Sequence, residues 1–351
     1  MEFPYPILVC DIGGTNVRIA EVAEPGGPLG PVSTFKTANF PGFADCVEQA
    51  LTQSGAPPPR SILACGAGLV EQRRLHMTNA AWTIDGPQIA YRLSLSQGIL
   101  FNDFEAQALA LPTHQPDWLH QIGPNLPRQP GPQIVLGPGT GLGVAALRRD
   151  GGRFLPLASE AAHIEFAPAT DEDAAIWPHL EHFHGRITAE ALISGPGLAR
   201  LHVARAAASR RDARARTSAD IISAAVLDPT GQEADSVRHF WRLTGRFAGD
   251  MALVFLARHG VALAGGILPR IVGLLDATDF RRAFEAKAPM DHVLRNIPTW
   301  VVTAPDVVLA GLAAIAAQPL AYQIDYRRRA WRSAGAGQAA CWDEGVWLSI
   351  V

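Results

Sequence analysis

The residues best suited to chemistry sit together at Asn102-Asp103, where the apolar run Leu100-Phe101 meets a helical run that Pro112 closes. A carboxylate at such a strand-to-helix junction can accept a proton from an alcohol, and the positive end of a helix favours its charged form. Taken alone, the pair reads first as an ordinary N-cap, because Asn and Asp are favoured there. Two glycine-rich turns widen the choice: Asp11-Ile12-Gly13-Gly14-Thr15-Asn16, and Gly137-Pro138-Gly139-Thr140-Gly141-Leu142-Gly143. Each lies between two apolar strands, and a tip of this kind lets backbone N–H groups approach an anion. Each is equally a plain hairpin turn. Their recurrence about 125 residues apart implies a duplicated domain with one phosphate loop in each half. Neither is a Walker A loop, and neither has the glycine spacing of a dinucleotide fold.

Glu160 and His163 have the Glu-x-x-His spacing, which returns at Glu181 and His184, so a carboxylate-bridged metal pair is one alternative. Against it, Pro168 and the β-favouring Ile164-Glu165-Phe166 make the first copy a turn and a strand. His184, just before Gly185, reads as a helix end.

The elements that must carry these residues follow from periodicity. Strands are expected at 7–10, 17–22, 61–69, 75–79, 82–84, 133–136, 144–147, 261–264 and, last, 300–303. Helices are expected at 43–51, 188–193, 234–258 and, last, 307–317, with Trp241, Phe247, Met251 and Phe255 as core candidates of the long one. Ser194-Gly195-Pro196-Gly197 breaks the helix before it, and 112–132, with six prolines, reads as a crossover between lobes.

At 351 residues and 48% apolar, the chain can build two well-packed domains. A net charge of -3 offers no footprint for nucleic acid or membrane. Cys10, Cys46, Cys65 and Cys341 lack metal-ligand spacing and read as free thiols of a reducing, cytoplasmic compartment. The N-terminus has no signal-peptide pattern, and no apolar run has spanning length.

Six motifs in order carry a resemblance: Asp11-Ile12-Gly13-Gly14-Thr15-Asn16, Asn102-Asp103-Phe104, Gly137-x-Gly139-Thr140-Gly141-Leu142-Gly143, Glu160-x-x-His163, Ala189-Glu190 with Ser194-Gly195-Pro196-Gly197-Leu198, and Ala264-Gly265-Gly266-Ile267-x-Pro269-Arg270. From about residue 5 to about 318 the chain resembles the bacterial ATP-dependent glucokinases. The resemblance implies an α/β, two-lobed, duplicated ribonuclease H-like fold of the actin and hexokinase type, with an active-site cleft between the lobes. It places a small lobe at 1–113 plus 305–320, a large lobe at 114–304, and an extension without counterpart at 321–351. It further implies D-glucose and MgATP as reactants, and a homodimer.

On that resemblance, Asp103 takes the proton of the sugar 6-hydroxyl as it attacks the γ-phosphoryl group. Asn102, Glu160, His163 and Glu190 bind the other hydroxyls. Cys10, Asp11, Ile12, Gly13, Gly14 and Thr15, with Gly139 and Thr140, hold the ATP phosphates, Asp11 lying near Mg2+ through water. Gly265 and Gly266 border the adenosine. The chain departs from the family at Cys10, where glycine is usual, at Ala161-Ala162, where two glycines are usual, and at Pro305-Asp306-Val307-Val308, which lacks a glycine-rich start. If those two glycines served φ > 0, the alanines imply a relaxed turn or a strained one with weaker sugar binding, relieved by Ala162→Gly. In the tail, Arg327-Arg328-Arg329 reads as a solvated basic face, 335–337 as linker, and Trp342 and Trp347 as an apolar ending. The rival readings are a related kinase acting on another hexose or an amino sugar, and a non-catalytic sugar sensor.

Overall fold

The computed structural model describes residues 2–334 and 338–340, except 56, 79 and 213–215. Asn79, Cys341, Trp342, Trp347 and the 335–337 stretch therefore lie outside the described residues. The chain forms two compact units: Met1–Thr113 with Asp150–Pro156 and Asp306–Val351, and His114–Arg149 with Leu157–Pro305.

In the first unit the strand Ile7–Ile12 turns back through the Gly13–Thr15 tip into antiparallel Asn16–Val22. On its other side it pairs in parallel with Ser61–Gly66, which pairs in parallel with Gln97–Asn102. Parallel central strands are buried on both faces, which is why Ser61–Gly66 is buried at every position. The second unit repeats the plan. Gln133–Pro138 turns into antiparallel Leu142–Asp150 and pairs in parallel with Gly260–Leu263, followed by Thr299–Val302. Hairpin plus parallel neighbour, twice, is the duplication that the two glycine-rich turns imply.

Several elements differ from the periodicity reading. The strand Leu119–Ile122, inside the proline-rich 112–132 stretch, pairs antiparallel with Thr299–Val302 and was hidden because only Ile122 of its four residues is fully buried. His184 and Gly185 do not end a helix. With φ of 50° and 78° they form the two-residue turn of a small hairpin closed by Phe183 and Arg186, where positive φ at both positions is required. Nor is Thr299–Val302 the last strand, since Trp331–Ala334 adds to the edge of Gln97–Asn102. The long helix runs Gln232–Val254, so Trp241, Phe247 and Met251 are in the core while Phe255, just past its end, is only half-buried.

That helix packs on Ala277–Glu285, and Gly249 permits the approach: a Cβ there would lie 2.2 Å from the Phe284 carbonyl oxygen. Its polar side meets a buried carboxylate, Asp173. One Asp173 oxygen accepts from His239 Nε2 at 2.8 Å; the other accepts from Arg246 Nη1 at 2.7 Å and from the amides of Ala169 and Thr170. Arg205 Nη1 lies 2.7 Å from His239 Nδ1. A guanidinium can only donate, so Nδ1 accepts and the imidazole is neutral with its proton on Nε2.

The hydrogen bonds of Asp173 hold its carboxyl below the usual carboxylate range despite burial, and burial holds His239 below the usual imidazole value. Stability from the lowered carboxyl is complete above its unfolded value and is lost as pH falls through its folded value; the unfolded His239 takes up a proton first as pH falls past about 6.5. Both terms make the protein acid-labile. Denaturant melts should show Asp173→Ala less stable by roughly 3–5 kcal/mol, the cost of stranding Arg246 in a buried pair. A loss below about 1 kcal/mol would mean the network is replaceable by water.

Candidate active site

The strand Gln97–Asn102 is buried along its length until Asn102, half-buried, where it passes directly into the helix Asp103–Ala110. Asn102 is the N-cap: its Oδ1 accepts from Phe104 N at 2.9 Å and Glu105 N at 3.1 Å, and its Nδ2 donates to the Gly68 carbonyl at 3.0 Å. The bland reading of the junction therefore holds for Asn102. Asp103 is the first helical residue, and its Oδ1 accepts from its neighbour's amide, Phe104 N, at 2.9 Å. The helix is locked from behind by Val307–Ala317, where a Cβ on Gly311 would fall 2.4 Å from Ala110 Cβ.

The electrostatics of Asp103 correct the simple helix-dipole expectation. Burial outweighs the helix N-terminus and pushes the carboxyl up to about 6, with the nearby Asp11 charge adding to the rise and the Phe104 amide opposing it. An acid poised there is ionised at neutral pH yet basic enough to take a proton in a transition state.

Asp11 lies on the strand Ile7–Ile12 rather than in the turn after it. Cys65 Sγ donates to its Oδ1 at 3.7 Å, Arg18 Nε stands 3.9 Å from Oδ2, and Arg18 Nη1 reaches Asp306 at 3.6 Å. Burial raises the Asp11 carboxyl more than Arg18 lowers it, and Asp306 adds to the rise. Sequence reasoning missed Arg18, Cys65, Asp306 and the Gly68 carbonyl; Arg18, facing Asp11 across the hairpin register, was the one signal available. Cys10 and Ile12 also belong to the strand, with side chains fully buried in the core, so only their backbone can meet a ligand. Burial drives both the Cys10 and Cys65 thiols upward, away from reactivity. The turn proper is Gly13–Thr15, closed by Gly13 N to Asn16 O at 2.9 Å and held by Thr37, which bonds the carbonyls of Gly13 and Thr15.

The second unit gathers the remaining residues. Glu190 is in the first turn of the short helix Ala189–Leu192, capped by Thr188, and its Oε2 accepts from Leu142 N at 2.8 Å. A Cβ on Gly141 would come within 2.5 Å of that oxygen, so the glycine makes the contact possible. Gly195 N bonds Gly139 O at 2.8 Å, and Ser194 caps the next helix, Gly195–Ala208, while donating to Glu190 O. Ser194-Gly195-Pro196-Gly197 therefore starts a helix as well as ending one. Gly265, at φ +87°, sits against Pro138, whose carbonyl a Cβ would meet at 2.4 Å, whereas Gly139 and Gly266 face open space. Glu160 and His163 are exposed and approach each other at 3.6 Å. They reach Glu190 through backbone: Ala189 N to Ile164 O at 3.1 Å and Phe166 N to Ile187 O at 2.9 Å.

Between Glu160 and His163 the chain makes a single 3-10 turn, Ala161–His163. Neither alanine has positive φ, and Ala162 is buried in the core. The strained-turn alternative is overturned: the backbone here is one that alanine adopts freely.

Comparison with known proteins supplies the rest. The glucokinase family model matches residues 8–319. A glucokinase of Brucella suis biovar 1 is 37% identical, over 94% of this chain and 96% of its own. The crystal structure of a glucokinase from an Antarctic psychrotroph superposes with a TM-score of 0.78 at 31% identity, over 89% of this chain and 98% of that one. A ROK family glucokinase from Streptomyces griseus, solved in complex with glucose and AMPPNP, shares the fold, with a TM-score of 0.63 at 21% identity over 90% of this chain and 100% of that one.

Two outcomes are expected from this geometry. The folded protein holds the Asp103 proton more tightly than an unfolded chain, where the carboxyl titrates near 3.8. Stability from that difference is fully present below the unfolded value and is lost as pH rises through about 6. Asp103→Asn, which cannot ionise, should therefore melt a few degrees above the parent protein near pH 8, the gain vanishing towards acid pH. Circular-dichroism melts read this directly, and a variant that melts lower near pH 8 contradicts the desolvation account. Ala162→Gly should cost about 1 kcal/mol of stability and improve nothing else; a more stable variant would reopen the strained turn.

Proposed function

The chain belongs to the glucokinase family, and on that premise we propose that it transfers the γ-phosphoryl group of ATP to the 6-hydroxyl of D-glucose with Asp103 as general base. The O6–phosphorus bond forms as the bond from phosphorus to the β,γ-bridging oxygen breaks; the O6 proton goes to the Asp103 carboxylate and leaves to solvent after ADP forms. The observation that carries the assignment is the half-buried carboxyl of Asp103, poised at about 6 at the end of a rigid strand.

Asn102, Glu160, His163 and Glu190 take the remaining sugar hydroxyls in this reading. Each hydroxyl both donates and accepts, and a carboxylate, an amide and an imidazole fixed in direction discriminate among them. The backbone of Cys10, Asp11, Ile12, Gly13, Gly14 and Thr15 and that of Gly139 and Thr140 holds the phosphates. The open faces of Gly139 and Gly266 support close approach of a ligand, Gly266 bordering the adenosine with Gly265. Asp11 is suited to hold Mg2+ through water: it is a hard oxygen donor whose cationic neighbour Arg18 stands at 3.9 Å and whose carboxyl is raised by burial, with a smaller contribution from the second acid, Asp306. The ion, when bound, neutralises charge on the phosphate oxygens.

The family resemblance supports a homodimer. Among the described residues no helix is long and apolar enough to cross a membrane, and the buried free thiols Cys10, Cys46 and Cys65 suit the cytoplasm.

Asp103→Asn keeps the shape and one acceptor, so glucose affinity should stay within about tenfold while turnover falls on the order of a hundredfold or more. A coupled assay of glucose 6-phosphate formation with calorimetric glucose binding separates the two. Turnover near that of the parent protein would remove Asp103 from the base role.

A further inference from the structure

The family match ends at residue 319, yet the chain continues into the first unit. After Asp325, which caps the short helix Tyr326–Arg329, the strand Trp331–Ala334 pairs antiparallel with Gln97–Asn102 through Trp331 opposite Gly98 and Arg332 opposite Gln97. Trp331 is buried, its ring filling the space where a Cβ on Gly86 or Gly98 would come within 2.3 Å. This pairing covers only the start of the strand Gln97–Asn102. Further along, Arg329 takes over: its Nη2 donates to the Leu100 carbonyl at 2.7 Å, and Nη1 and Nη2 grip the two Glu105 oxygens at 2.6 and 2.8 Å. The guanidinium also lies 4.9 Å from the centre of the Phe101 ring. Both side chains are largely withdrawn from water, at 19% and 13% exposure. The solvated-face reading of Arg327-Arg328-Arg329 is thereby corrected for its third member, whereas Arg328 stays exposed beside Asp325.

Leu100 is near the end of the strand and Glu105 is in the first turn of the helix, so one rigid planar group ties together the two elements that meet at Asn102-Asp103. We propose that Arg329 is a positioning residue: it fixes the angle between strand and helix at this corner and so aims the Asp103 carboxylate at the sugar hydroxyl. The inference rests on the base role given to Asp103 above. A forked guanidinium holds a carboxylate and a carbonyl in fixed directions, which a lysine ammonium cannot do. An error of about 1 Å in the placement of a reacting group costs on the order of a hundredfold in rate.

The test compares Arg329→Lys, Arg329→Met, Asp103→Asn and the control Arg328→Met in the full chain, by steady-state kinetics, calorimetric glucose binding and thermal melts. Arg329→Met should lower kcat about thirtyfold and Arg329→Lys about fivefold, both with glucose Kd and KM within about twofold of the parent protein. Arg328→Met should change none of these. Adding Glu105→Gln to Arg329→Met should lower kcat little further, because one interaction has already been lost. If Arg329→Met does not fold, Arg329→Lys carries the test alone. An unchanged kcat in a folded Arg329 variant, or a kcat that falls only in step with glucose-binding capacity, overturns the proposal. If Asp103→Asn itself turns over like the parent, the base role fails; if Asp103→Asn is inactive while the Arg329 variants are not, the failure belongs to this inference only.

Discussion

Withdrawing the Asp103 carboxylate partly from water, with no cation paired to it among the described residues, is the constraint around which the first unit is built. A carboxylate left in solvent at a helix N-terminus would titrate low and make a poor base. Here burial wins over the helix, and the cost falls on the fold. The unit offsets that cost with a strand buried along its length, a helix capped by Asn102, and the tight contact of Gly311 with Ala110. The Asp11 charge adds to the rise of Asp103, while Arg18 is directed at Asp11 and Asp306. A cation placed against Asp103 would stabilise the protein and lower the basicity of the group.

The second unit places its polar residues by a different means. Glu190 is held through the amide of Leu142, and the hairpin tip through Gly139 and Gly195, so backbone bonds fix the orientation of one carboxylate and one loop together. The long helix is anchored to Asp173 by the neutral imidazole of His239 and the guanidinium of Arg246, and Arg205 of the helix Gly195–Ala208 donates to that imidazole. Rigid supports of this kind let exposed residues such as Glu160 and His163 sit on a short turn without losing direction, since Ile164–Phe166 is laddered to Ile187–Ala189.

Much of this was legible in the sequence because it depends on local rules. Strand, glycine tip and strand read correctly at both hairpins, and Asn102 announced its helix. Most of what escaped depended on distant partners. The strand Leu119–Ile122 has an edge-strand pattern that periodicity cannot separate from a loop, and the hairpin at His184-Gly185 was mistaken for a helix end because both need positive φ. The titration of Asp103 was judged from its own helix, whereas burial beneath other elements decides it. Arg329 looked like one of three solvated arginines, since nothing in the triplet reveals a carboxylate 224 residues away.

The central claim is that burial, not the helix terminus, sets the Asp103 carboxyl, and a carbon-13 NMR titration of the side-chain carboxyl in the free protein tests it most directly, with Asp103→Asn to assign the resonance. A midpoint near 6 is the result expected. A midpoint at or below the ordinary value of about 3.9 would show that the helix N-terminus dominates and that the carboxylate is not poised as a base.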